Sequence, residues 1–256
     1  MKKISTLLAS LPLITTACGG GGGSGDGTGT GASNTDTLDL SQEKGIWSNT
    51  DTQTFTSPSG NSTTYQASTG IVTSQEQLII LTGNSDVYIV NQNTKKAYYF
   101  RGMAFLTEIT SATASETSGL FKFNFYNEKR KANEQISLPA NGHYNVAMNL
   151  SSMIATWDDE YNGTDNWSFD IQAGGVFRAT RSGDCIADGT LSHIDASKSE
   201  LAVSVTFNNN CGTNLKNTHT GLAWPDELSP TTVLNMAVYS SLDGSGKAIG
   251  WKLRKL

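Results

Sequence analysis

Apolar side chains recur at every second position along much of this chain, and hardly any segment repeats at the spacing of a helix. Phe121, Phe123 and Phe125 alternate with Lys122 and Asn124, and Trp167, Phe169 and Ile171 alternate with Ser168 and Asp170. Leu201, Val203, Val205 and Phe207 alternate with Ala202, Ser204 and Thr206, and Ile249, Trp251 and Leu253 alternate with Gly250, Lys252 and Arg254. Successive side chains of a strand point to opposite faces, so each run predicts a strand with one buried face. Polar turns divide the runs. Residues 91–96 lie between Asp86–Val90 and Ala97–Phe105, Asn127–Asn133 follows the phenylalanine run, and Asp243-Gly244-Ser245-Gly246 joins Thr232–Ser240 to Lys247–Lys255. Short polar turns between amphipathic strands predict an all-β protein, an antiparallel meander closing as a barrel or a sandwich.

Leu150, Met153, Ile154 and Trp157 are spaced as on a helix, with Asn149 placed to cap it. They predict a short helix over Asn149–Trp157, joining two β halves divided near 141–157. Gly45-Ile46-Trp47 opens the first half and Ala155-Thr156-Trp157 the second. The whole β region, 41–256, is long enough for one large β domain or two small ones.

The N-terminus has a different composition. Lys2 and Lys3 precede an apolar stretch, Ile4–Ile14, and then Thr15, Thr16, Ala17 and Cys18. This is the order of a secretory signal peptide, and its apolar core is too short to span a bilayer. The segment resembles the lipobox of bacterial lipoproteins, which ends Ala-Cys, although Thr15 stands where that family usually has Leu. The resemblance implies a signal peptide over 1–17, cleavage before Cys18, a diacylglyceryl thioether on its sulfur and an acylated amine. More than one acyl chain anchors stably, where one binds only marginally. Gly19 replaces the Asp that marks inner-membrane retention in the family, which implies the outer membrane of a bacterial cell envelope. Residues 18–40 are read as the lipidated cysteine and a linker. Between Gly19 and Thr37 stand nine glycines with only Ser, Asp, Thr, Ala and Asn. Such a segment cannot form a core and would span roughly 24 Å as a flexible coil.

Two cysteines remain, Cys185 and Cys211, in a chain read as exported, where disulfides form. If Asp184–His193 and Glu200–Asn209 pair as a hairpin turning near Lys198, Leu191 faces Val205, His193 faces Val203 and Cys185 faces Cys211. All are odd-numbered and share a face, so a Cys185–Cys211 disulfide is predicted.

No catalytic constellation emerges. His143, His193 and His219 form no His-x-x-x-His or His-Glu pair, and no Gly-x-Ser-x-Gly elbow is present. Asp158, Glu160, Asn162 and Gly163 match the first, third, fifth and sixth positions of an EF-hand loop, but Phe169 occupies the twelfth, where a bidentate Glu is required. An acidic turn is the simpler reading, and no metal or cofactor is expected. Lys129-Arg130-Lys131 reads as a charged hairpin tip. The formal charge is −5, and becomes −7 without Lys2 and Lys3. A net-acidic chain is disfavoured as a nucleic-acid binder.

Gly45-Ile46-Trp47, Gly175-Val176-Phe177, Gly183-Asp184-Cys185, Gly189-Thr190-Leu191-Ser192, Ile194-Asp195, Cys211 and Thr220-Gly221-Leu222-Ala223 occur in that order. Their order resembles a family of uncharacterised lipoproteins of Gram-negative bacteria, which carries no activity to transfer. Gly45-Ile46-Trp47 with Arg254 also resembles the lipocalins, in which an arginine of the last strand packs over the tryptophan of the first. That resemblance implies an eight-stranded barrel enclosing a small apolar ligand. The expected function is a membrane-anchored, non-enzymatic β domain for binding or surface interaction with a protein or small molecule. The alternative is a lipocalin-like carrier of a small hydrophobic ligand.

Overall fold

The computed structural model describes residues 38–49, 52–56, 62–66, 68–83, 86–91, 94, 96–109, 111–127, 131–159, 166–213 and 215–256. Cys18, the segment 1–17, the linker to residue 37, the turn 128–130 and the acidic stretch 160–165 lie outside them.

The first half begins with β1 (Gly45–Ser48) and the hairpin β2 (Thr52–Thr56) with β3 (Ser62–Gln66). A meander follows, of β4 (Thr69–Val72), β5 (Leu78–Leu81), β6 (Val87–Asn91), β7 (Lys96–Arg101) and β8 (Ala104–Ile109). A second meander comprises β9 (Ala112–Thr117), β10 (Leu120–Asn127) and β11 (Ala132–Asn141). β1 joins the two by pairing antiparallel with β4 on one side and β11 on the other, giving the order β8-β7-β6-β5-β4-β1-β11-β10-β9. The sheet curls on itself. Tyr88 of β6 meets Phe125 of β10 at 5.3 Å between ring centroids, although four strands separate them in the sheet. Trp47, Phe121 and Phe123 fill the concave face, with Leu38 and Leu40 buried among them.

The segment expected as one strand over Ala97–Phe105 is two. Gly102 and Met103 take positive φ of 54° and 70°, and Arg101 pairs with Ala104 across the turn. Positive φ at both central residues matches the right-handed strand twist that a tight hairpin needs.

The predicted helix over Asn149–Trp157 is also corrected. Only Leu150–Met153 is helical, as a single 3-10 turn, and the Asn149 side chain accepts from Ser151 N–H at 2.9 Å. Trp157 lies on β12 (Ala155–Asp159), and its indole N–H donates to the Met153 carbonyl at 2.8 Å. Two ladders claim this segment, one on each side, and outweigh its helical spacing.

β12 opens a closed antiparallel barrel. It continues through β13 (Ser168–Ile171), β14 (Val176–Arg181), β15 (Cys185–Asp195), β16 (Glu200–Phe207), β17 (Asn217–Pro225), β18 (Val233–Tyr239) and β19 (Ala248–Lys255). β19 returns to pair with β12, so no edge is left unpaired. The inward residues form one core of closely packed rings. Trp167 lies 6.0 Å and Phe169 5.4 Å from Trp251, and Phe169 lies 5.6 Å from Phe177. Gly189, opposite Phe177, leaves room for that ring: a Cβ there would stand 2.2 Å from Phe177 Cζ.

Cys185 and Cys211 are disulfide-bonded, with Cα atoms 4.4 Å apart. The register predicted for their hairpin is shifted by two residues. Leu191 faces Val203 and His193 faces Leu201, and a bulge separates His193 from Asp195. A shift of two keeps every residue of the ladder on its predicted face. Cys211 is not in the ladder. It closes the 3-10 turn Asn209–Cys211, which turns back to Cys185 beyond the last pair, Ala187 with Phe207.

Candidate functional site

The convex face of the curled sheet packs against the outer wall of the barrel. Ile46, Ile71, Ile79, Leu81, Val87 and Ile89 meet Leu222, Trp224, Ala237 and Ala248 in one buried cluster. Gly250 admits Leu81, whose Cδ1 would stand 2.2 Å from a Cβ at that position. Polar groups pin the seam. The Trp224 indole N–H donates to Thr69 Oγ1 at 3.0 Å, and the Thr69 hydroxyl lies 3.1 Å from both Ser48 Oγ and the Trp47 carbonyl. Glu200, wholly buried, accepts from Ser74 N–H at 2.8 Å, from the Ser74 hydroxyl and from the Tyr144 hydroxyl at 3.0 Å. Burial, with the adjacent Glu200 charge, pushes the Tyr144 hydroxyl pKa well up. On the same wall Trp224, Asn235 and Lys252 stand side by side across β17, β18 and β19, all buried. Burial lowers the Lys252 pKa to about 8, against the opposing pull of Asp226.

Where this seam opens, a recess of about 590 Å³ lies between the two β bodies. Gln75, Gln77, Ile79, Ile89 and Asn91 line it from the curled sheet. The barrel wall contributes the outward positions of four adjacent strands. Thr190 pairs with Ser204, Ser204 with Thr220, and Thr220 with Tyr239, which sets four hydroxyl-bearing residues in one row. Ser192 lies one step along β15 and also lines the recess. Among the described residues no lining side chain carries a charge. Burial raises the Tyr239 pKa, so its hydroxyl stays a neutral donor.

A second recess, of about 370 Å³ and largely apolar, sits at one barrel end, lined by Met148, Met153, Pro225, Pro230 and Leu234 with His143 beside them. Strands of a meander alternate in direction, so Ile154 before β12, Val176 at the start of β14, Leu228 after β17 and Leu256 after β19 emerge at this same end. All four are exposed.

His219 is set apart from the other two histidines. His193 lies near this end of β15, whereas His219 is inside the barrel towards the other end, with its ring 4.9 Å from Phe207. Burial lowers the His219 pKa below the ordinary imidazole value, opposed by the Asn217 carbonyl at 3.3 Å from Nδ1. Among the described residues no group of three or more His, Cys, Asp or Glu is placed to hold a metal. The lipocalin pairing expected between Trp47 and Arg254 is not formed. Trp47 stacks on Phe121 in the curled sheet, while Arg254 lies opposite Asp158 in the barrel. The cation over a first-strand tryptophan is instead Lys255, with Nζ 5.9 Å from the Trp157 ring centroid.

Sequence reasoning missed both the hydroxyl row and the Glu200 lock. Alternation marks Thr190, Ser204 and Thr220 as outward positions, but their alignment depends on three separate registers. No family model matches the chain, and neither a curated protein nor a solved structure matches it. Fold and site together define a two-bodied, all-β protein, a curled nine-stranded sheet backed on a closed eight-stranded barrel.

Proposed function

We propose that this chain is a lipid-tethered, non-enzymatic binding protein of the bacterial outer membrane, which meets its ligand on the outside of its β bodies. One contrast carries the reading: the barrel interior is occupied by packed rings, while the 590 Å³ recess opens between the bodies. A carrier of the lipocalin kind needs interior volume, and Trp167, Phe169, Phe177, Phe207 and Trp251 stand where its ligand would lie. The signal-like segment and Cys18 supply the tether, and the glycine-rich stretch to residue 37 supplies reach.

The test is metabolic labelling with an alkyne-bearing palmitate, combined with native mass spectrometry. The wild-type chain should take the label and fractionate with membranes, and Cys18→Ala should lose both properties. The purified wild-type protein should carry no apolar small molecule. Label retained by Cys18→Ala would remove the tether, and a co-purifying apolar ligand would restore the carrier reading.

A further inference from the structure

We propose that the recess between the two β bodies binds an uncharged oligosaccharide, laid across the barrel wall along the hydroxyl row of Thr190, Ser204, Thr220 and Tyr239. This rests on the reading that ligands are met outside the barrel, and it names the ligand class. The volume, about 590 Å³, falls within the range of small-ligand sites.

The chemistry of the lining selects the ligand. Hydroxyls and primary amides each donate and accept, so the row and the facing Gln75 and Gln77 can answer a ligand that does both. No hydrogen bond within the described residues occupies the side chains of Thr190, Ser192, Ser204 or Thr220. The next row towards the disulfide end differs: Thr206 and Thr218 bond each other, Oγ1 to Oγ1, at 2.9 Å. The row in the recess is therefore open to a ligand, and its continuation is self-satisfied.

Adjacent strands lie about 4.8 Å apart, so four strands present hydroxyls over roughly 14 Å with a repeat comparable to one sugar unit. Ile194, Ala202 and the Tyr239 ring, each only partly buried, add apolar surface for the C–H faces of sugar rings.

Other ligand classes fit less well. An ion entering the recess would meet no opposite charge among the described lining residues. A purely apolar ligand would strip water from the hydroxyls and amides and replace none of those bonds. An extended peptide binds a sheet by adding to a free edge. Here β5 and β6 have partners on both sides, as does every barrel strand.

Isothermal calorimetry on the intact protein tests the proposal, with maltotetraose, cellotetraose and chitotetraose as neutral probes. Trigalacturonate is the charged comparator and 1-octanol the largely apolar, uncharged one. At least one neutral probe should bind. The triple variant Thr190→Val, Ser204→Ala, Thr220→Val should bind it about tenfold more weakly, the loss of one to three ordinary hydrogen bonds. Ser204→Trp, which fills the recess from an exposed position, should abolish binding. All substitutions are on the solvent side of the wall, and an unchanged urea midpoint shows that the variants fold. The proposal is overturned if no neutral probe binds, if either comparator binds more tightly, or if the triple variant stays within twofold of wild type. The Cys18 labelling and native mass spectrometry report separately on tethering and on interior carriage, so a failed saccharide assignment is told apart from a failure of the broader reading.

Discussion

Glu200 is one of the residues by which the barrel holds the curled sheet, and replacing it should cost as much as a large core truncation. It opens β16 with no solvent exposure and takes three donors: Ser74 N–H, the Ser74 hydroxyl and the Tyr144 hydroxyl. Ser74 belongs to the turn between β4 and β5, and Tyr144 to the connector between the bodies. One carboxylate thus ties three parts of the chain. A hydrogen bond to a charged group contributes about 1.5–3 kcal/mol. Glu200→Ala removes the acceptor for all three, and Ser74, half-buried, regains some water. The expected loss is therefore about 4 kcal/mol, below the simple sum. Glu200→Gln keeps the shape but turns an NH₂ towards one of the donors, for a loss of about 2 kcal/mol. Tyr144→Phe removes one donor, and combined with Glu200→Ala it should lose about 1.5 kcal/mol less than the two single changes added together. Equilibrium unfolding in urea, followed by tryptophan fluorescence, reads these values. In Glu200→Ala the single transition should broaden as the bodies uncouple. A loss under about 1 kcal/mol, or full additivity with Tyr144→Phe, would refute the lock.

Three further outcomes are expected. Cys185→Ala with Cys211→Ala opens a link spanning 26 residues and should lower stability by about 3.5 kcal/mol in the chain-entropy account, measured against the oxidised wild type in urea. The Lys252 pKa is about 8 in the folded chain and ordinarily 10.5, so between those values the unfolded chain holds a proton that the native state has released. Stability should then rise by up to about 1.4 kcal/mol per pH unit from pH 8 towards 10, before the raised tyrosines oppose it, and Lys252→Met should flatten that rise. An unchanged slope in the variant would show that Lys252 is not the group responsible. Gly189→Ala places a methyl 2.2 Å from Phe177 Cζ and 2.6 Å from the Ser204 carbonyl oxygen, and should cost about 2–3 kcal/mol by overpacking, read as a lowered urea midpoint.

The strands were legible wherever one face is buried and the other is wet. Phe121, Phe123 and Phe125 on β10, and Val203, Val205 and Phe207 on β16, alternate in sequence because a pleated strand alternates in space; β19 alternates too, but its second face, with Gly250 and Lys252, is buried under the curled sheet. The disulfide was legible for the same reason, since parity alone put Cys185 and Cys211 on one face. Its register was not, because a bulge after His193 and a 3-10 turn at Cys211 break the constant sum of residue numbers that an unbroken hairpin would keep. Trp157 misled for a different reason. Its helical spacing is a local property, and pairing with β13 and β19 is not.

The local pattern of side chains, by itself, determined an antiparallel β protein, its main turns and the face shared by the two cysteines, because each follows from a period of two within a few residues. Tertiary structure alone decided that β1 joins two meanders, that β19 closes on β12, and that the sheet lies against the barrel wall. The hydroxyl row and the Glu200 lock follow from those choices. Each joins residues tens of positions or more apart in the chain, and such contacts are selected by the total surface buried when two bodies meet, a quantity that no local window of residues contains.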